Sequence, residues 1–274
     1  MDLGRGERER QVDARFVTVD GVRLEYLWSG PPAGEAPTLV FLHEGLGSAG
    51  LWRDFPARLA HIAGCGALAY SRAGYGASGP VDLPRPVRFM HDEAVVLGKM
   101  IDALGIGEHV LFGHSDGASI SLIHAGSEPR PGLRGVVAEA PHVFTEPHGL
   151  ASIAAIADVY RDTDLRERLA RHHGQNVDTA FRGWNDVWLD PEFRAWNIEA
   201  YLPGIRVPLL VVQGESDEYG TWAQVDAIQR QAGGPVEVLG IPHCGHSPHR
   251  EQPDVVLAAA AAFVRQCVGT APAA

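Results

Sequence analysis

From residue 15 the chain alternates apolar and polar positions through RFVTVD and VRLEYLW, two segments joined at Asp20-Gly21. Period-two alternation around an Asp-Gly pair predicts a β-hairpin closed by a tight turn. Beyond it the pattern changes to apolar runs of strand length, PTLVFLH, GALAYS, HVLFG, LRGVVAEA, VPLLVVQG and PVEVLGIP. Helical patterns separate most of these runs, over about 51 to 62, 88 to 104, 116 to 127, 221 to 232 and 252 to 267. Strands apolar on both faces and alternating with helices predict an α/β fold, a mostly parallel sheet covered on both sides. Residues 145 to 203 break the rhythm, with helical patterns and no convincing strand. They predict a helical cap inserted into a core of residues 15–144 and 204–270, behind a charged N-terminal tail of residues 1–14.

Composition narrows the function classes. A net charge of -11 repels phosphate backbones and anionic lipid surfaces, so neither nucleic acid nor a membrane is an expected partner. No apolar run approaches the ~20 residues that span a bilayer, and the charged start lacks a secretory pattern. A cytoplasmic protein acting on a small molecule is expected, and a homodimer is compatible with the chain. Cys65, Cys244 and Cys267 are odd in number and lack a Cys-X-X-Cys pair, which predicts reduced thiols. His243, Cys244 and His246 crowd three potential ligands into four residues, a poor spacing for zinc, so no metal or cofactor is expected.

The sharpest chemical signal is GHSDG at 113 to 117, directly after the strand HVLFG and before the helix ASISLIHAG. A nucleophile on a tight strand-to-helix turn needs small residues two positions either side, and Gly113 and Gly117 supply them around Ser115. A serine hydroxyl needs a base, and the base needs an orienting acid. Asp217, in the loop after VPLLVVQG, and His246, in the loop after PVEVLGIP, lie at the same sheet edge and complete the order Ser, Asp, His. Glu139, ending the strand VVAEA, is the competing acid. Three of the six tryptophans, Trp184, Trp188 and Trp196, fall in the insertion, where they either form its core or close a substrate pocket.

GHSDG, SRAGYGASGP at 71 to 80, the QGESDEYG loop and the GHSPHREQP loop resemble the α/β-hydrolase superfamily over essentially the whole chain from about residue 15. The resemblance implies an eight-stranded, mostly parallel sheet flanked by helices, a cap between strands 6 and 7, and a serine esterase or thioesterase chemistry. In LHEGLGS at 42 to 48, Glu44 stands where relatives usually have Gly. Position then assigns the oxyanion N–H groups to Gly45, with Leu46 as fallback, and to Asp116, while Glu44 either contacts substrate or buttresses its loop. The Ser-Asp-Gly run is similar to valacyclovir hydrolase, an esterase for amino-acid esters, which implies a substrate ammonium facing Asp116. The plainer reading has Asp116 bonding its loop or facing solvent. A carbon-carbon bond hydrolase of ring-cleavage products and a non-enzymatic small-molecule receptor remain the alternatives.

Overall fold

The computed structural model describes residues 13–127 and 131–269. Almost all of the expected tail lies outside these residues. A hairpin opens the chain: β1 (Arg15–Val19) pairs antiparallel with β2 (Val22–Ser29). Its turn residues Asp20 and Gly21 both adopt positive φ, 48° and 80°, as a two-residue turn matched to strand twist requires. Six further strands follow: β3 (Thr38–Leu42), β4 (Gly66–Tyr70), β5 (His109–His114), β6 (Leu133–Glu139), β7 (Leu209–Gly214) and β8 (Val236–Ile241). The sheet runs β1-β2-β4-β3-β5-β6-β7-β8, with β2 antiparallel to β4 and every later pairing parallel.

The apolar runs are explained by burial on both faces. In β3, Val40 and Leu42 join one core cluster while Leu39 and Phe41 join the other, and β5 divides Leu111 from Val110 and Phe112 in the same way. One face carries α1 (Phe55–Ala63) and α9 (Pro253–Val268); the other carries α2 (Phe89–Ala103), α3 (Asp116–Gly126) and α7 (Trp222–Gln231). The expected helix at 51 to 62 is instead a 3-10 turn, Ala49–Trp52, followed by α1. Pro56 lies in the first turn of α1, where its missing N–H is harmless, and so sets the start.

Between β6 and β7 lie α4 (Pro147–Asp162), α5 (Leu165–His173), α6 (Val177–Trp188) and the 3-10 turns Pro191–Ala195 and Glu199–Gly204. From this insertion His173 bonds the Leu46 carbonyl, Asn176 the Gly76 and Ser78 carbonyls, and Trp188 the Asp116 carboxylate, while α8 (Pro248–Glu251) follows the loop that carries His246. Among the described residues no helix is long and apolar enough to cross a membrane.

Candidate active site

Ser115 sits between β5 and α3 with φ 53° and ψ -117°, a left-handed backbone that costs a non-glycine residue free energy. The turn is possible because a Cβ at Gly113 would overlap the Gly117 carbonyl, and one at Gly117 would overlap the Leu42 carbonyl. Ser115 is thereby held at the floor of a cavity of about 240 Å³, its own surface 6% exposed. The N–H of Asp116 belongs to the first turn of α3 and has no intrahelical acceptor.

His246 Nε2 lies 2.9 Å from Ser115 Oγ, and its Nδ1 lies 2.8 and 2.9 Å from the two Asp217 oxygens. With the Nδ1–H donated to Asp217, Nε2 is free to accept the serine proton. Asp217 is fixed by three further donors, the Tyr219 N–H at 2.8 Å, the Gly220 N–H at 3.2 Å and Gln213 Nε2 at 2.8 Å. Burial opposes its ionisation, but the His246 charge and hydrogen bond and the Tyr219 N–H outweigh it and hold the carboxyl well below the usual range. Such a relay can remove a proton from Ser115 and return it to a leaving atom.

The competing acid is placed elsewhere. Glu139 is fully buried and accepts from the His249 N–H at 2.5 Å, with its other oxygen 2.9 Å from His249 Nδ1. Its partner is therefore His249, and the place beside His246 is held by Asp217, the acid expected there. His114, Glu139 and His249 have ligand atoms within 4.8 Å of one another, the one group among the described residues able to share a cation, yet its members already pair by hydrogen bonds. Cys244 is buried in the core with its thiol pushed up to about 12, chiefly by burial.

Gly45, Leu46 and Asp116 all line the cavity, and no hydrogen bond engages the N–H of Gly45 or Leu46 among the described residues. A Cβ at Gly45 would collide with the Trp184 indole, so glycine is required there by close approach. Arg72, from the SRAGYGASGP segment, is 1% exposed and donates to the His43 carbonyl at 2.6 Å and the Glu44 carbonyl at 3.0 Å. It pins the loop that carries Gly45 and Leu46 into the cavity lining; the motif was visible in sequence, this role was not. Glu44 lines the cavity, but its oxygens face His114 Nδ1 at 3.6 Å and Arg250 Nη2 at 3.2 Å. Those contacts make Glu44 a buttress of its loop at the cavity wall, one of the two roles expected of it.

Asp116 does not face solvent: it is fully buried, accepts from Trp188 Nε1 at 3.1 Å and lies 3.8 Å from Arg72 Nη2. Burial pushes its carboxyl up against the opposing pull of Arg72. Arg72 and Trp188 flank the carboxyl, and its Oδ2 carries no hydrogen bond among the described residues. Trp184 and Trp188 line the cavity because they stand at i and i+4 on α6 and share one face. Trp196 does not line it. It lies past the turn Pro191–Ala195, which ends the helical register, and stacks on Phe193 at 5.3 Å and 8°. Sequence reading missed His142, Ile153, Glu218 and Tyr219, which also line the cavity. Position at the C-terminal ends of β6 and β7 was the available signal for His142 and Tyr219.

The alpha/beta hydrolase family model matches residues 39–260. The 2-succinyl-6-hydroxy-2,4-cyclohexadiene-1-carboxylate synthase of Enterobacter sp. (strain 638) is 27% identical over 254 residues, 84% of this chain and 92% of that protein. Among solved structures, naproxen esterase (carboxylesterase NP) from Bacillus subtilis superposes with TM-score 0.71 at 20% identity, covering 92% of this chain and 91% of that one. The enol-lactonase from Burkholderia xenovorans superposes with TM-score 0.69 at 20% identity, covering 91% of this chain and 99% of that one. At those identities the structural likeness speaks for the fold, and the family match over most of the length speaks for kinship: the chain belongs to the alpha/beta hydrolase family.

Proposed function

We propose that the protein is a serine hydrolase that cleaves a carboxylic ester or thioester of a small molecule through an acyl-enzyme. The observation that carries this reading is the hydrogen-bonded relay Ser115–His246–Asp217 at the floor of a cavity. Ser115 Oγ attacks the carbonyl carbon as His246 Nε2 takes its proton, and the N–H groups of Asp116 and of Gly45 or Leu46 receive the oxyanion. His246 then passes the proton to the leaving oxygen or sulfur, and water repeats the sequence to release the acid. Trp184, Trp188 and Ile153 form an apolar roof, so the insertion acts as a cap.

The synthase relative supports a second reading, in which the same relay acts on a carboxylate-bearing substrate, as ring-cleavage products are. The cavity offers such a substrate no cation: no Lys or Arg is among its lining residues, and the nearest arginines, Arg250 and Arg72, already face Glu44 and Asp116. A carboxylate entering this site would lose hydration without gaining a charged partner.

The test is labelling with a p-nitrophenyl phosphonate followed by peptide mapping, together with turnover of ester and thioester panels. Covalent mass on Ser115 and turnover of at least one neutral ester or thioester are expected. Tight ligand binding without turnover would instead favour a receptor, and hydrolysis confined to dienoic keto acids would favour the second reading.

A further inference from the structure

We propose that His142 is a specificity residue of the Ser115 cavity, its imidazole hydrogen-bonding an uncharged oxygen on the leaving-group side of the substrate; this rests on the ester-hydrolase reading. The backbone around His142 is anchored on both sides. Its carbonyl accepts from Ser119 Oγ on α3 at 2.6 Å, and the next N–H, of Val143, donates to Gln224 Oε1 on α7 at 2.7 Å. The ring is 6% exposed, stands edge-on to Trp188 at 5.3 Å and lies 5.7 Å from the His246 ring. It therefore enters the cavity in one fixed orientation.

Neither ring nitrogen of His142 carries a hydrogen bond among the described residues, which separates it from the other histidines around the site. His114 reaches the His246 carbonyl at 2.7 Å, His249 pairs with Glu139, and both nitrogens of His173 are engaged, with the Gly76 N–H and the Leu46 carbonyl. Neither nitrogen of His142 is among the fully enclosed unpartnered atoms, so both remain reachable from the cavity, where a ligand can supply the partner. Burial, assisted by the His246 charge, lowers the His142 pKa to about 4, so the ring presents one N–H donor and one lone pair.

Position decides which part of the substrate it meets. His246 Nε2 delivers the proton to the leaving oxygen, so the leaving group stands against His246, and the adjacent His142 ring reaches atoms a few bonds beyond it. The lining offers an anionic partner no Lys or Arg, leaving an ether, hydroxyl or carbonyl oxygen.

The experiment compares butyl butyrate with 2-methoxyethyl butyrate, which differ by one CH2-to-oxygen exchange in the alcohol part. The wild-type protein, His142→Phe and His142→Gln are assayed for kcat/KM. One neutral hydrogen bond is worth about 1 kcal/mol, so His142→Phe should lower the methoxyethyl-to-butyl ratio by about fivefold, and His142→Gln, which keeps an N–H, should restore part of it. If His142→Phe fails to fold, His142→Ala gives the same ratio. A ratio unmoved by any of these variants, or both esters falling in parallel, would overturn the assignment while leaving the ester reading intact. No turnover of either ester by the wild-type protein, with no ester accepted in a wider panel, would overturn both.

Discussion

Glu139→Gln and Asp217→Asn each replace a buried carboxylate by an amide of the same shape, and their effects should separate folding from chemistry. Glu139 accepts from His249 through both oxygens, and neither side chain has appreciable exposure. An amide keeps one acceptor and turns an NH2 group toward the other donor, so one buried N–H is stranded and the pair loses a charge. That costs about 2–4 kcal/mol. For a domain of this size each kcal/mol moves Tm by roughly 2–4 °C, giving a fall of about 5–15 °C. Glu139 makes no side-chain contact with Ser115 or His246, so kcat below the transition should stay within about threefold of wild type. Asp217→Asn acts on the relay itself, because its amide NH2 would face the His246 Nδ1–H or displace it. Loss of the oriented imidazole should lower kcat by roughly a thousandfold to ten-thousandfold. Thermal unfolding followed by circular dichroism, with kcat/KM on the best ester found, measures both quantities on each variant. If Glu139→Gln loses turnover as severely as Asp217→Asn with Tm unmoved, the acid has been assigned to the wrong strand end.

Ser115→Ala should abolish phosphonate labelling and lower turnover by orders of magnitude with Tm nearly unchanged, since only one oxygen leaves a turn already set by Gly113 and Gly117; retention of a tenth of the wild-type rate would exclude it as nucleophile. Trp184→Ala should alter KM or acyl-chain preference, whereas Trp196→Ala, stacked on Phe193, should lower Tm and leave selectivity alone; a chain-length series read beside melting curves distinguishes the two. His142 has a pKa of about 4 in the folded protein against 6.5 for the free side chain, so the unfolded chain binds its proton more readily. Wild-type stability should therefore fall as pH drops from 6.5 to 4, about 3 kcal/mol of it from His142, and His142→Phe should flatten that part of a urea-unfolding series. His43 and His173, also held below their ordinary values by burial, act in the same direction, while His114 is shifted the opposite way.

The sheet was legible because its information is local. Six apolar runs bounded by helical periods admit little besides a parallel sheet, and Ser115, Asp217 and His246 each follow a run that ends at the same edge. Asp217 lies in a short polar loop whereas Glu139 runs into Ala140 and Pro141, and it is Asp217 that bonds His246. What escaped was set by contacts between distant segments. Asp116 reads as an exposed charge beside the nucleophile until Trp188 and Arg72, 72 and 44 positions away, close on it. Trp196 reads as a third member of an aromatic series until the turn Pro191–Ala195 takes it out of helical register. His142 bears no motif at all; only its place beside His246 and Trp188 distinguishes it from an ordinary loop histidine.

The bond from Trp188 to Asp116 ties the insertion to the residue whose N–H stands beside the nucleophile. Roof and chemistry are therefore not separable modules. An exchange of residues between β6 and β7 for those of another family member would graft a new pocket while removing the indole donor from a buried carboxylate that has Arg72 as its remaining neighbour. Chimeras made this way should lose kcat as well as change substrate, and a compensating Asp116→Asn or a retained Trp188 would be the first repair to build into them.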